Sequence, residues 1–325
     1  MSYRTSIRRI DQTVPRPIWS VMIPTYQCAA YLRETLTSVL SQDPGVDAMQ
    51  IEVVDDGSID DNPRQIVEEI GQGRIDFYQQ PRNVGHIRNF QTCLDRARGQ
   101  LIHLLHGDDC VCDGFYRKLQ AAFEQNPDIG AAFCRHQYIN DRGVPHYHEI
   151  LEQPESGILE NCLEKLTTRC RIQTPSIVVR RSVYETIGAF DRRLSAGEDW
   201  EMWVRIAAYY PIWYETETLA LYRTHPNSNT GRHQRAGKRL QALRQAIDIM
   251  QESLPPQFAQ QLTKLGREYY GADTLRQAEK QIENRNFKAG MNYIREALLF
   301  SRSPQIIERS LQLGKRMLKQ SVTRS

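Results

Sequence analysis

Short apolar runs alternate with amphipathic stretches along the first third of the chain. Trp19 to Ile23 reads as a strand ended by Pro24. From about Ala30 to Gln42, Leu32, Leu36, Val39 and Leu40 recur at the spacing of one buried helical face. Ile51 to Val54 is a second strand. Asp60, Asp61 and Pro63 supply helix-start chemistry for a helix to about Ile70. Ile75 to Gln79 is a third strand, Asn83-Val84-Gly85 a turn, and a helix from about Ile87 to Ala97 ends at Gly99 as its cap. Leu101 to Leu105 is a fourth strand, apolar enough to be covered on both faces. Strand and helix alternate three times before Asp109, which predicts a parallel sheet with right-handed crossovers.

Further on, Phe115, Leu119, Ala122 and Phe123 mark a helix that ends before Pro127. Ile129 to Ile139 reads as a long strand closed by a turn at Asn140–Gly143. Residues 144–170 carry no clear period and are read as a flexible or acceptor-covering segment. Thr174 to Arg180 is a strand, Ser182 caps a short helix to Gly188, and Gly197-Glu198-Asp199-Trp200 opens another. Two short strands near Ile212–Tyr214 and Thr218–Tyr222 follow. The pattern is helical from Arg232 onward, and Ala278 to Pro304 resembles a single tetratricopeptide unit. One such unit cannot bury its own face, so 232–325 is read as a helical C-terminal region packed on the rest. The predicted organisation is a flexible arm over 1–17, an α/β domain over 18–231 with halves at 18–110 and 111–231, and that helical region.

Composition changes this picture little: 40% of the 325 residues are hydrophobic and 25% charged, ordinary values for a globular chain. No apolar run approaches the roughly 20 residues that cross a bilayer. No secretory signal is visible in the polar, basic N-terminus. The seven cysteines are scattered, as reduced thiols of a cytoplasmic protein would be. Cys110-Val111-Cys112 lacks the second pair a zinc site needs. Charge is more informative. From Arg232 onward the chain holds 18 basic and 8 acidic residues, whereas the preceding part holds 24 and 31. Such asymmetry fits either a solvated helical face or contact with an anionic surface, peripheral to the inner face of a membrane.

Two predicted strands stop on paired carboxylates, Asp55-Asp56 and Asp108-Asp109. In open α/β sheets ligands bind at the carboxyl edge, and crowded carboxylates repel unless a cation or donor network satisfies them. A third pair, Glu198-Asp199, opens a later helix, where the dipole alone would favour acids. Two acidic pairs at one sheet edge point to a site.

In order and spacing, several segments resemble the family 2 glycosyltransferases over roughly residues 18–230. Val21-Met22-Ile23-Pro24-Thr25-Tyr26 is similar to that family's opening strand and P-T-Y/F-N loop, with Gln27 in place of Asn. Ser38–Gln42 is similar to S-V-L-x-Q, and Val53–Ser58 to V-V-D-D-G-S. Asn83–Gly85 with Arg88-Asn89 matches N-x-G…R-N, and Leu105–Asp109 stands at L-D-x-D-D. Glu198–Trp203 matches E-D-x-x-x-W, and Tyr222–His225 matches Y-R-x-H. The resemblance implies an α/β GT-A fold: a Rossmann-like, mostly parallel sheet flanked by helices, here with an all-helical C-terminal appendage. It also implies transfer of one sugar, with inversion, from a nucleoside-diphosphate donor of UDP or dTDP type to a hydroxyl acceptor, a saccharide or lipid-linked saccharide of cell-surface polysaccharide or glycoconjugate synthesis.

The roles follow from the same resemblance. Pro24, Thr25 and Tyr26 shape the base pocket, Asp56 accepts from the base, and Arg88 adds charge near the phosphates. Asp108 holds a divalent cation, Mn²⁺ or Mg²⁺, whose hard character suits carboxylates; His225 and His106 join it. Asp199, with Glu198 adjacent, is the general base, and Trp200 offers the acceptor a flat face. His106 departs from the family, standing where the first acid of D-x-D is usual. No Q-x-x-R-W motif of processive synthases occurs. Nucleic acid is not an expected partner. The competing expectations are a non-catalytic nucleotide-sugar or glycan-binding protein, and a scaffold for partner enzymes built on the helical tail.

Overall fold

The computed structural model describes residues 3–11, 13–229, 231–232 and 237–322. Its centre is a mixed sheet built from β1 (Trp19–Thr25), β2 (Met49–Asp55), β3 (Asp76–Gln79), β4 (Leu101–Leu104), β5 (Cys110–Val111), β6 (Ala131–Ile139), β9 (Ile177–Arg180) and β10 (Ile212–Arg223). Their order is β3-β2-β1-β4-β9-β6-β10-β5. Strands β1 to β4 are mutually parallel where they pair, as the alternation predicts. β9 runs antiparallel between β4 and β6, and β10 lies parallel to β6. The chain leaves β1 toward β2 and β3, then returns to β4 on β1's other side. That reversal opens a crevice at the strand ends, the usual ligand position in such sheets.

Side-chain alternation gives the sheet two apolar faces. Val21, Ile23, Ile51 and Val53 meet α1 (Ala29–Leu40), α2 (Pro63–Gly71) and α4 (Phe115–Gln125). Met22, Val54, Ile102 and Leu104 face α3 (His86–Arg96), α6 (Arg181–Ile187) and α7 (Glu198–Tyr209). Each such residue, fully buried, contributes about 1.5–3 kcal/mol of transfer free energy. The fold class is thus the α/β, GT-A type with helices on both faces and a C-terminal helical region.

That region comprises α8 (Arg239–Met250), α9 (Pro256–Glu283), α10 (Phe287–Phe300) and α11 (Pro304–Val322). Its first part shares one core with the sheet: Ala246, Ile247, Met250, Leu262 and Tyr270 cluster with Trp200 and Trp203. Only the distal part has a core of its own, around Leu275, Ile282, Ile294 and Leu313. Much of the tail's positive charge is paired, as in Arg309 and Arg316 with Glu279 and Arg244 with Glu296.

Several local expectations change. Residues 3–8 are not a loose arm. Thr5 O accepts from Ala189 N at 2.7 Å, Arg8 O accepts from Arg181 Nη2 at 2.9 Å, and Arg4 reaches Glu201 at 3.0 Å, with Ile7 buried. β1 runs through Pro24 to Thr25, since at the strand end only the carbonyls are needed: Pro24 O and Thr25 O accept from Gly107 N and Asp56 N. Asn62, not Asp60 or Asp61, caps α2, accepting from Gln65 N at 3.2 Å; Asp61 instead accepts from Ala29 N at 2.7 Å, at the start of α1. α3 ends at Arg96 with Ala97 as its cap, and Gly99 serves close packing rather than capping, because a Cβ there would lie 2.4 Å from Ser20 N.

Residues 144–170 are ordered: β7 (Pro145–His148) forms a hairpin with β6, β8 (Gly157–Ile158) pairs with β10, and α5 (Cys162–Thr168) packs on α7 and α9. Thr174–Ser176 is a 3-10 turn before β9, and Arg180 rather than Ser182 precedes α6. The two late strands are one, β10, with irregular pairing between Glu215 and Ala220 that hides its continuity in sequence.

Candidate active site

The ends of β1, β2 and β4 and the N-termini of α3 and α7 meet around a cavity of about 450 Å³. Pro24, Thr25, Tyr26, Asp56, Asp108, Glu198, Asp199, His106 and His225 all line it, though they come from five separate stretches of chain. In the first two acidic pairs one carboxylate, Asp55 or Asp109, is turned inward to hold the backbone and the other, Asp56 or Asp108, lines the cavity, whereas Glu198 and Asp199 both line it.

At the end of β2, Asp55 is fully buried and accepts from Ser58 Oγ at 2.6 Å and Ser58 N at 2.9 Å. Asp56 accepts from Val84 N at 2.8 Å and Gly85 N at 3.0 Å, clamping the turn before α3. Burial pushes its carboxyl up against the pull of those amides. A carboxylate has about four acceptor positions, so Asp56 keeps capacity toward the cavity it lines.

After β4, Gly107 has no left-handed backbone. A Cβ there would sit 3.0 Å from Cys28 Sγ and 3.2 Å from Thr25 Oγ1, so glycine lets this turn lie against β1. Asp109 is buried, and its Oδ1 accepts from Arg223 N at 2.8 Å. Asp108 Oδ2 lies 2.9 Å from His225 Nε2, and Arg223 Nε donates to Asp108 O at 2.8 Å. Burial raises both carboxyls. For Asp108 the hydrogen bond from His225 and the charges of His106 and His225 together outweigh it, so that carboxyl stays below the usual range, while the charge of Asp108 adds to it for Asp109, which rises well above. Donor atoms of His106, Asp108 and Asp109 lie within 4.8 Å of one another. Among the described residues, Asp109 Oδ2 and His106 Nε2 are buried without hydrogen-bond partners, a rare state for polar atoms. Two hard carboxylates and one imidazole with open valences fit a divalent cation such as Mn²⁺ or Mg²⁺.

Across the cavity, Gly197 precedes α7 and Glu198 and Asp199 form its first turn. Glu198 Oε1 lies 3.1 Å from His86 Nε2. Burial opposes charge on both groups, but their mutual attraction prevails: His86 is raised and Glu198 lowered. Asp199 is pushed up to about 7, by burial first and by the charge of Glu198 second. His86 packs edge-on against Phe90, which also stacks on His106 at 5.2 Å between ring centres. Phe90 thus stands between the His86–Glu198 pair and the turn that carries His106, Asp108 and Asp109.

Two expected residues fall outside this arrangement. Trp200 is 1% exposed, donates from Nε1 to Leu166 O at 2.6 Å and packs against Tyr270 of α9. It is core, because α9 covers the face of α7 that carries it. Arg88 sits on the exposed side of α3 and does not line the cavity; the helix turns Asn89 inward instead, to donate to Val54 O at 2.8 Å. Conversely, Asp109, Arg223 and His86 received no role from sequence. Asp109 and Arg223 lay inside recognised motifs, while nothing local marked His86.

The Glycosyl transferase family 2 model matches residues 20–188. The chain belongs to that family. It is 34% identical over 165 residues to an uncharacterised protein of Mycobacterium tuberculosis, a match covering 51% of this chain and 48% of that one, so the chain spans about half that relative's length. An uncharacterised glycosyltransferase of Mycoplasma pneumoniae is 26% identical over 224 residues, covering 66% of this chain and 70% of the relative. Among solved structures, Staphylococcus aureus TarS 1–349 in complex with UDP-GlcNAc superposes with a TM-score of 0.63 at 18% identity, covering 86% of this chain and 81% of that one. The mannosyltransferase PcManGT of Pyrobaculum calidifontis, in complex with GDP-Man and Mn²⁺, superposes with a TM-score of 0.59 at 16% identity, covering 95% and 83%. At these identities the structural likenesses speak to the fold.

Proposed function

We propose that this family 2 chain transfers a single sugar, with inversion, from a nucleoside-diphosphate sugar to a saccharide or lipid-linked saccharide hydroxyl. The observation that carries this is one cavity bringing together Asp56, Asp108 and Asp199 from three distant strand and helix ends. Asp199 removes the acceptor hydroxyl's proton as that oxygen attacks the anomeric carbon. The bond from that carbon to the diphosphate breaks, and attack from the opposite side inverts the centre. Glu198, held by His86, keeps its negative charge beside Asp199 and so keeps Asp199 basic enough to work near neutrality. Pro24, Thr25 and Tyr26 shape the base pocket, with Asp56 accepting from the base. His106, Asp108 and Asp109 would hold the divalent cation, and His225 orients Asp108. The chemistry such an ion supplies is neutralisation of charge on the departing diphosphate.

A donor of UDP or dTDP type is our reading, supported by the UDP-GlcNAc bound by TarS; GDP-mannose in PcManGT is the alternative to test. No helix among the described residues is long and apolar enough to cross a membrane. Contact with an anionic lipid surface fits the basic tail, where Leu311 and Leu318 stand exposed beside a groove that Lys315 also lines. A pathway role in cell-surface polysaccharide or glycoconjugate synthesis at the cytoplasmic face accords with that contact. The test is a panel of UDP-, dTDP- and GDP-sugars with and without Mn²⁺, scored for nucleotide binding and for release of nucleoside diphosphate. Cation-dependent binding and turnover of one donor is expected. Absence of both for every donor refutes the proposal, and binding without turnover favours a non-catalytic nucleotide-sugar binder.

A further inference from the structure

With Trp200 in the core, the acceptor has no aromatic surface from the α7 motif. The sheet supplies another. Tyr138 on β6 is register partner to Tyr147 on β7 and to Tyr222 on β10. Partners on adjacent strands point to the same face, so the three rings form one row across three strands. The ring centres of Tyr138 and Tyr147 are 5.4 Å apart, and those of Tyr138 and Tyr222 also 5.4 Å. We propose that this Tyr222–Tyr138–Tyr147 ladder is the platform on which the saccharide acceptor lies, leading from solvent into the cavity. The inference rests on the glycosyltransferase reading above and names where its acceptor binds.

Three features set the ladder apart from packing that merely stabilises a hairpin. It begins inside the cavity: Tyr222 lines it together with Gln173, Thr174 and Asp199. It is tied there, because Gln173 Nε2 donates to the Tyr138 hydroxyl at 3.3 Å. It ends in solvent: Tyr147 is 47% exposed, on a strand whose four residues are all exposed and which pairs only with β6 among the described residues. An exposed aromatic at a sheet edge invites contact. A tyrosine ring offers an electron-rich face to the C–H face of a pyranose, and its hydroxyl can donate to and accept from sugar hydroxyls. A saccharide stacked along the row would lead into the cavity that Asp199 lines.

The test uses the whole 325-residue chain and saturation-transfer NMR with methyl glycosides of glucose, galactose, mannose and N-acetylglucosamine and with lactose as probes. UDP is titrated calorimetrically with Mn²⁺ in parallel. At least one probe should receive saturation on its ring protons. Tyr147→Ala should weaken that probe about three- to tenfold, while Tyr147→Phe, which keeps the ring, should stay near wild type. UDP affinity should be equal in all three proteins. Because Tyr147 is exposed, circular dichroism should be unchanged. UDP binding with no saturation of any probe, or with saturation insensitive to Tyr147→Ala, overturns the ladder and leaves the donor site standing. Saturation lost in Tyr147→Ala without any UDP binding supports the ladder and sinks the donor reading instead.

Discussion

Replacing Asp199 tests the proposed chemistry most directly, because its carboxyl is pushed up to about 7 by burial and by Glu198. A general base acts only when deprotonated, so activity should rise with pH through that value. At about pH 6 only about one tenth of the protein carries the base in its working form, and below that the rate falls about tenfold per pH unit. Asp199→Asn keeps the shape and the acceptor oxygen that meets Trp200 N at 2.7 Å, but cannot take a proton. Turnover should fall about 10²- to 10⁴-fold, roughly 3–5 kcal/mol of barrier, with nucleotide affinity unchanged. Glu198→Gln leaves the burial in place and removes the adjacent negative charge, so the acidic limb should move down by about one unit or more. The assay is kcat/KM for nucleoside diphosphate release between about pH 5 and about pH 9, with UDP titrated in parallel. A flat profile in the unmodified protein, or an Asp199→Asn variant within about tenfold of it, would refute the assignment.

Other consequences can be checked separately. Asp109→Asn should weaken Mn²⁺-supported nucleotide binding by at least about tenfold, read by calorimetry with and without a chelator, since it removes the unpartnered oxygen and keeps the one facing Arg223 N. Arg88→Ala should leave nucleotide affinity within about twofold, because the residue stands outside the cavity; a tenfold loss would restore it to the site. Trp200→Ala should cost about 3–5 kcal/mol of stability in urea melts, through the cavity left against Tyr270 and an orphaned Leu166 carbonyl. Gly99→Ala should lower the melting temperature without altering nucleotide binding in the folded fraction, since its Cβ would lie 2.4 Å from the β1 backbone.

Sequence alone determined the first half of the sheet and the carboxylates at its edge. Periodicity is a local property: alternating faces along β1, β2 and β4, and helical spacing in α1 and α3, follow from neighbouring residues. Carboxylates that end strands are local too, so Asp56 and Asp108 could be placed at a sheet edge before any contact was known. The later half was less legible because its order arises between distant segments. β10 reads as two strands until its irregular pairing with β6 is seen, and 144–170 acquires order only by packing on β6, β10, α7 and α9.

Tertiary structure alone decided that Asp56 and Asp108 line the cavity while Asp55 and Asp109 hold backbone, and that Glu198 and Asp199 both line it. It also decided that α9 covers Trp200 and that His86 meets Glu198. The tyrosine row is the plainest case. Tyr138, Tyr147 and Tyr222 have no sequence pattern in common, and a one-residue slip in register would send one of them to the opposite face. Strand pairing, not spacing, makes them one surface.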